Sequence, residues 1–152
     1  MFYLIILMLY VFCFFLAIFA IKHGRIGKVI SETDAYSETG QRLKKLSFIH
    51  FLSGIILVII TAFYLLTMLW GELAFQLMVF QIYIKSIAWI VAAIQFLLPV
   101  CLLAVGISGL KMEGDYGRYK KVFNITAIII GIVFVIYLIF FFIFPLLGIS
   151  LH

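Results

Sequence analysis

Residues 46–70, LSFIHFLSGIILVIITAFYLLTMLW, decide the fold of this chain. No Asp, Glu, Lys or Arg interrupts this segment. About 20 apolar residues in an α-helix are enough to cross the hydrocarbon core of a bilayer. The segment is therefore predicted to be a transmembrane helix. Its polar residues, among them His50, Thr61 and Tyr64, are then expected inside the membrane, where an unpaired polar group is costly.

Three further apolar segments are long enough to span a membrane. Residues 1–21 form one uninterrupted run, and residues 122–147 form another with Pro145 near its end. The apolar stretch at residues 73–110 is too long for one helix. The third span is therefore placed at 84–110, after an outer segment at 71–83. The sequence therefore predicts an all-α, polytopic integral membrane protein with four transmembrane helices in a compact bundle that forms a single membrane domain.

The composition points to the same class. Hydrophobic residues make up 67% of the 152 residues and charged residues only 11%, whereas a soluble domain averages roughly 45–50% and about 25%. A globule of this size cannot bury so much apolar surface, so membrane lipids are the predicted solvent. The formal net charge of +5 indicates orientation and contact with anionic head groups, and binding to nucleic acid is not expected.

The positive charges predict how the chain is oriented. Of eleven Lys and Arg residues, all but Lys85 fall in the two connections at residues 22–45 and 111–121. Connections rich in Lys and Arg stay in the cytoplasm. Both connections are therefore predicted to be cytoplasmic loops and both termini to lie outside, in a bacterial inner membrane or an equivalent membrane.

The first loop contains signals for helix ends. Gly24 and Gly27 are predicted to stop the first helix, because glycine is a poor helix former and a common C-terminal cap. Ser37 or Thr39 is predicted to cap a helix that includes residues 41–45 and continues into the second span.

Small and weakly polar residues on one face of each span predict where the helices meet. Cys13 and Cys101 are interpreted as buried apolar side chains rather than redox-active thiols. The predicted contact faces are Tyr3, Tyr10, Cys13, Ala17, Ala20 and Gly24 in the first span; Ser47, His50, Gly54, Thr61, Tyr64 and Met68 in the second; Gln81, Lys85, Ala88, Ala92, Gln95, Pro99 and Gly106 in the third; and Asn124, Ala127 and Gly131 in the fourth.

The same reasoning predicts a polar pocket within the bundle. Ionisable residues inside a membrane are candidates for function, but Lys85 could instead extend to the outer head groups and His50 could form a structural hydrogen bond, for example to Asn124. Gln95 could likewise link two helices. The candidate binding residues are His50, Thr61, Tyr64, Lys85, Gln95 and Asn124.

The residue types within the spans argue against several activities. No span contains Asp or Glu, which proton- or cation-coupled carriers use. His50 has no acidic partner to orient it as a catalytic base and no second histidine within a span with which to hold haem. No catalytic residue, metal ligand or cofactor is predicted, and the chain is not expected to be an enzyme.

Two functional hypotheses remain open at this point. The first is a small non-catalytic accessory or anchoring subunit that packs against other membrane proteins, in a respiratory or transport complex. The alternative is a small membrane enzyme or carrier for a lipid-soluble substrate such as quinone or haem.

Overall fold

The computed structural model describes residues 2–33, 36–71, 85–112 and 118–140. Within these residues the chain forms helices and no strand. Each of the four helices contains a segment long and apolar enough to cross a membrane, which confirms the predicted all-α membrane class. The helices are α1 (Phe2–Thr33), α2 (Glu38–Leu69), α3 (Lys85–Lys111) and α4 (Arg118–Leu138).

The helices pack in chain order, each antiparallel to the next. In α1 and α2, Gly24 lies against Phe51 while the earlier residue Ala17 lies against the later residue Gly54. The α2–α3 and α3–α4 pairs are also extensive, whereas α1 and α4 approach each other at only a few places. The bundle therefore has three tight edges and one loose edge, between α1 and α4.

One end of this bundle carries most of the positive charge. Antiparallel packing brings the last turns of α1 and α3 together with the first turns of α2 and α4. Lys28, Lys44, Lys111 and Lys121 all lie there with exposed side chains. We call this the basic end, and the other end of the bundle the opposite end.

The first helix is longer than predicted. Gly24 and Gly27 were predicted to stop it, but α1 continues through both to Thr33, so this prediction was wrong. A Cβ at Gly24 would lie 2.6 Å from Cβ of Phe51, and one at Gly27 would contact Oγ of Ser47. Close packing against α2 therefore outweighs the low helix propensity of glycine, which amounts to about 1 kcal/mol. How much of α1 lies within lipid stays a prediction.

The start of α2 agrees with the predicted cap. Ser37 is the residue before the helix, in an extended conformation, and its hydroxyl accepts a hydrogen bond from the backbone N–H of Gly40 at 2.9 Å. The helix then runs without a break to Leu69. The Ser37 alternative is thus confirmed, and residues 41–45 belong to the same helix as the second span.

Most of the predicted contact faces are buried. Cys13, Ala17 and Ala20 are fully buried in α1, and Asn124, Ala127 and Gly131 are buried in α4. The buried face of α3 is broader than predicted, because it also includes large aliphatic residues such as Leu98 and Leu102. The rest of the core consists of Leu16, Leu57, Ile60, Cys101 and Val105.

Some predictions fall outside the described residues. They are the outer segment from residue 72 to 83, the Gly-rich part of the second loop at 113–117, and the end of the fourth span at 141–147 with Pro145. The backbone of Lys85 begins α3, but its side chain is also outside what the structure describes.

Candidate functional sites within the bundle

Polar side chains inside the bundle form two groups at different depths. One group lies near the basic end and includes His50 and Ser108; the other lies in the opposite half and includes Tyr64 and Gln95. Fourteen residues of α2 separate His50 from Tyr64, which corresponds to roughly 21 Å along the helix axis. We call the group that contains His50 and Ser108 the polar layer, and the site that contains Tyr64 and Gln95 the cleft.

The polar layer is centred on a hydrogen bond between α2 and α3. Nδ1 of His50 lies 2.9 Å from Oγ of Ser108, and both side chains are almost fully buried. The Ser108 hydroxyl donates to the backbone carbonyl of Ala104 at 2.5 Å. With this bond made the hydroxyl has no second proton, so Ser108 accepts from His50 when the imidazole carries its proton on Nδ1. The imidazole also lies against the backbone of Val105.

This arrangement resembles a nucleophile and base only in residue type. The Ser108 proton points to its own helix, and neither His50 nor Ser108 lines the cavities described below. A catalytic pair would also need an acidic group to orient the imidazole, and none is paired with His50 among the described residues. The bond is best interpreted as a link between two helices.

Other members of the polar layer fill gaps left by glycine. Ser47 lies against Gly27 of α1, and its hydroxyl is 3.5 Å from Sδ of Met112. The Asn124 amide of α4 packs directly on Gly109 of α3, where any Cβ would collide with it. Asn124 is therefore paired with α3, and the predicted hydrogen bond between His50 and Asn124 is replaced by the His50–Ser108 bond.

His23 belongs to a group of rings that links α1 to α4 through Phe19. It was predicted to lie in the first loop, but it belongs to α1 and is only 5% exposed. Its ring meets the edge of Phe19 with centroids 3.9 Å apart, and Phe19 stacks on Phe123 at 4.4 Å. The loose α1–α4 edge is thus closed by aromatic rings near the basic end.

The His50–Ser108 bond gives a prediction for stability. We expect a double-mutant cycle of His50→Leu and Ser108→Ala to show a coupling of about 0.6 kcal/mol, and no more than about 1.7 kcal/mol, as for other bonds between membrane helices. Thermal or denaturant unfolding of the purified protein in detergent would measure it.

The matched control for this cycle is Thr126→Val combined with His50→Leu. The Thr126 hydroxyl donates to the backbone carbonyl of Val122 in its own helix and forms no hydrogen bond to another helix among the described residues. It should therefore show no coupling to His50. A coupling as large as that of Ser108 would contradict the interhelical bond.

The cleft lies in the opposite half of the bundle, along the loose edge between α1 and α4. It encloses a volume of about 480 Å³, which is in the range of small-molecule sites. Its side towards lipid is formed by α4 residues that are about half exposed, such as Ile129, Val133 and Tyr137. The described residues that line it are Ile6, Leu9, Tyr10, Tyr64, Gln95, Leu98, Ile129, Ile130, Val133, Phe134, Tyr137 and Leu138.

The floor of the cleft carries its polar groups. Tyr10 of α1 stacks on Tyr64 of α2 with ring centroids 4.9 Å apart. The side chain of Gln95, from α3, lies near the Tyr64 hydroxyl on the same side of the cleft. On the other side, Phe134 of α4 lies 6.4 Å from the Tyr10 ring. The cleft is therefore an apolar, aromatic space with phenol and amide groups at one place.

The six predicted pocket residues do not form one site. Tyr64 and Gln95 lie together in the cleft, whereas His50 and Asn124 belong to the polar layer. Thr61 is fully buried, and its hydroxyl donates to the backbone carbonyl of Leu57 in its own helix at 2.7 Å, so it offers nothing to a ligand. The sixth residue, Lys85, has no described side chain.

Two important residues were missed by the pocket prediction. Ser108 was not on the predicted face of α3, because a single serine in an apolar helix can satisfy its hydroxyl within that helix. Tyr10 was assigned to a contact face but not to the pocket. Its position on the same helix face as the small residues Cys13 and Ala17 was the available signal, because a large ring beside small residues leaves space around it.

Comparison of the chain with family models, with curated proteins and with solved structures gave no match. The described residues also contain no group of three or more His, Cys, Asp or Glu side chains that could hold a metal ion. The function must therefore be argued from the two groups of polar residues and the cavities of this chain.

Proposed function

We propose that this protein binds a lipid-soluble molecule with a hydrogen-bonding ring, such as a quinone, in the cleft and acts as a small membrane carrier or enzyme for it. The observation that carries this proposal is the cleft itself. It combines an apolar volume of about 480 Å³ with phenol and amide groups contributed by four different helices.

The polar groups of the cleft fit a ring that bears carbonyl groups. Gln95 has two N–H donors and Tyr64 has one O–H donor, and an interaction between the two neighbouring side chains uses at most one of these. The remaining donors can bind a carbonyl oxygen, which would otherwise be unpaired in lipid at a cost of several kcal/mol. The stacked rings of Tyr10 and Tyr64 offer an aromatic surface beside it.

The loose edge of the bundle supports entry from the membrane. A lipid-soluble molecule reaches a membrane protein from the side, so its site has to open between helices. Ile129, Val133 and Tyr137 of α4 are about half exposed and also line the cleft. Since the Lys-rich loops favour a cytoplasmic basic end, the cleft would open towards the outer leaflet.

The polar layer has a structural part in this proposal. The His50–Ser108 bond and the Phe19–Phe123 stack hold the helices together near the basic end. This would let α1 and α4 separate in the other half without loss of the bundle.

The second hypothesis is an accessory or anchoring subunit of a membrane complex. It is supported by α4, whose exposed side carries a continuous row of large aliphatic residues, including Ile125, Ile132 and Ile136. Such a row suits a neighbouring membrane protein, but lipid tails are an equally suitable neighbour, so we place this hypothesis second.

One experiment distinguishes the two. The protein would be purified from its native membrane in mild detergent, extracted with organic solvent, and analysed by mass spectrometry for bound small molecules and co-purified proteins. We expect one lipid-soluble molecule with a polar ring, at close to one per chain. Membrane proteins at fixed stoichiometry, with no extracted small molecule, would reject the proposal in favour of the accessory subunit.

A further inference from the structure

A second cavity lies at the basic end, between the last turns of α1 and the first turns of α2. It has a volume of about 660 Å³. Neither the polar layer nor the cleft accounts for it, because it shares only Ser47 with the first and no residue with the second. We call it the basic pocket; its lining is Gly24, Arg25, Lys28, Gln41, Lys44, Lys45, Ser47, Phe48 and Phe51.

We propose that the basic pocket binds the phosphate of an anionic phospholipid from the cytoplasmic leaflet. Arg25 and Lys28 come from α1, and Lys44 and Lys45 come from α2, so four cations converge from two helices. No Asp or Glu is among the described residues that line the pocket. An anionic ligand is what such a cluster of cations would attract.

The pocket is formed by contacts between α1 and α2 as well as by its charged side chains. Where α1 and α2 touch at Gly24, Cβ of Phe51 would be 2.6 Å from an added Cβ, so the helices close the pocket at its apolar end. Arg25 is held there, because its guanidinium lies 5.8 Å from the centre of the Phe51 ring, within reach of a cation–π interaction. One cation is therefore positioned before any ligand binds.

The order of residues along α2 favours a lipid over a free phosphate compound. Lys44 and Phe48 are four residues apart, so they lie on the same face of the helix, about 6 Å apart along its axis. The charged level of the pocket is followed by an aromatic level on the side of the membrane interior, and Phe48 is 63% exposed. A phosphate at the first level and a glycerol and acyl chain at the second match this order.

The test compares two pairs of substitutions that remove the same charge from the same helices. Lys28→Gln with Lys44→Gln changes the pocket, whereas Lys22→Gln with Arg42→Gln changes exposed residues that do not line it. The full-length protein in phosphatidylcholine micelles would be titrated with phosphatidylglycerol, and native mass spectrometry would report the bound lipid.

We expect the pocket pair to weaken phosphatidylglycerol binding by about 30-fold, the effect of two cations near an anionic head group. The control pair should change it by less than about threefold. Because all four side chains are exposed, both pairs should keep the unfolding temperature of the wild-type protein, which shows that a loss of lipid is not a loss of fold.

Two results would overturn the proposal. Equal weakening by both pairs, or none by either, would mean that the positive charge acts diffusely and that the pocket is not a site. Displacement of the lipid by millimolar glycerol 3-phosphate would assign the site to a soluble phosphate compound, whereas an unchanged lipid signal under the same competitor supports the lipid.

Discussion

Replacing Gly24 by alanine is expected to destabilise the protein by about 1–3 kcal/mol, the usual cost of added volume in a packed interior. A Cβ there would lie 2.6 Å from Cβ of Phe51 and 2.8 Å from its Cα and backbone N. These atoms are next to or within the backbone of α2, so they cannot yield as the end of a flexible side chain would. The α1–α2 pair would have to move apart.

The sign of this prediction is informative because alanine is the better helix former. In an exposed helix, Gly→Ala stabilises by up to about 1 kcal/mol. Gly106→Ala should also destabilise, since its Cβ would meet the backbone carbonyl oxygen of Asn124 at 2.7 Å and thus separate α3 from α4. Thermal unfolding of each variant in the same detergent measures both effects.

Gly71→Ala provides the control, because an added Cβ there would have none of the described residues within 4 Å. It should leave the unfolding temperature unchanged or slightly raised. If Gly24→Ala behaved like Gly71→Ala, the close approach of α1 and α2 would be contradicted, and with it the closed end of the basic pocket.

The glycines show where prediction from the sequence fails. Gly24 and Gly27 carry a real local preference against helix, but what decides their conformation is a partner at least 20 residues away, at Phe51 and Ser47. Ser37 was predicted correctly because its cap is local: its hydroxyl bonds to Gly40, three residues on. Four spans followed from apolar length alone, a property that needs no knowledge of neighbours.

The candidate sites also combine features that the sequence predicts with contacts between helices that it does not. Depth could be predicted, since each residue advances about 1.5 Å along a helix, and His50 and Gln95 do lie at different levels. The neighbours could not be predicted, because periodicity indicates a face but not the helix it meets. The bond from His50 goes to Ser108 rather than Asn124, and the cleft lies along the α1–α4 edge, whose sparse packing no pattern within either helix indicates.

Filling the cleft is expected to remove its occupant. Val133 lines the cleft and is 57% exposed, so it lies where the cavity meets lipid. In Val133→Trp, the indole would take up part of the 480 Å³ and obstruct the opening between α1 and α4. We expect the amount of extracted small molecule per chain to fall by at least about tenfold, a loss of about 1.4 kcal/mol or more in binding.

Gln95→Leu tests the polar floor of the same cleft without filling it. Leucine has a similar volume but no N–H donor, so a bound carbonyl would lose a hydrogen bond whose net value is about 0.5–1.5 kcal/mol. We expect a smaller loss of the occupant than for Val133→Trp, and a shift towards less polar molecules in the extract. Mass spectrometry of the extracts thus distinguishes a blocked cleft from a cleft that has lost a hydrogen-bond donor.

Ile132→Trp is the control for the filling variant. Ile132 is the preceding residue of α4 and is 47% exposed, but it does not line the cleft. The same indole is then added to the lipid-facing surface, which tolerates apolar bulk, and the occupant should be retained. If Ile132→Trp and Val133→Trp both kept the molecule, it would bind elsewhere on the protein, and the stacked tyrosines and Gln95 would be a packing feature of the bundle instead of a binding site.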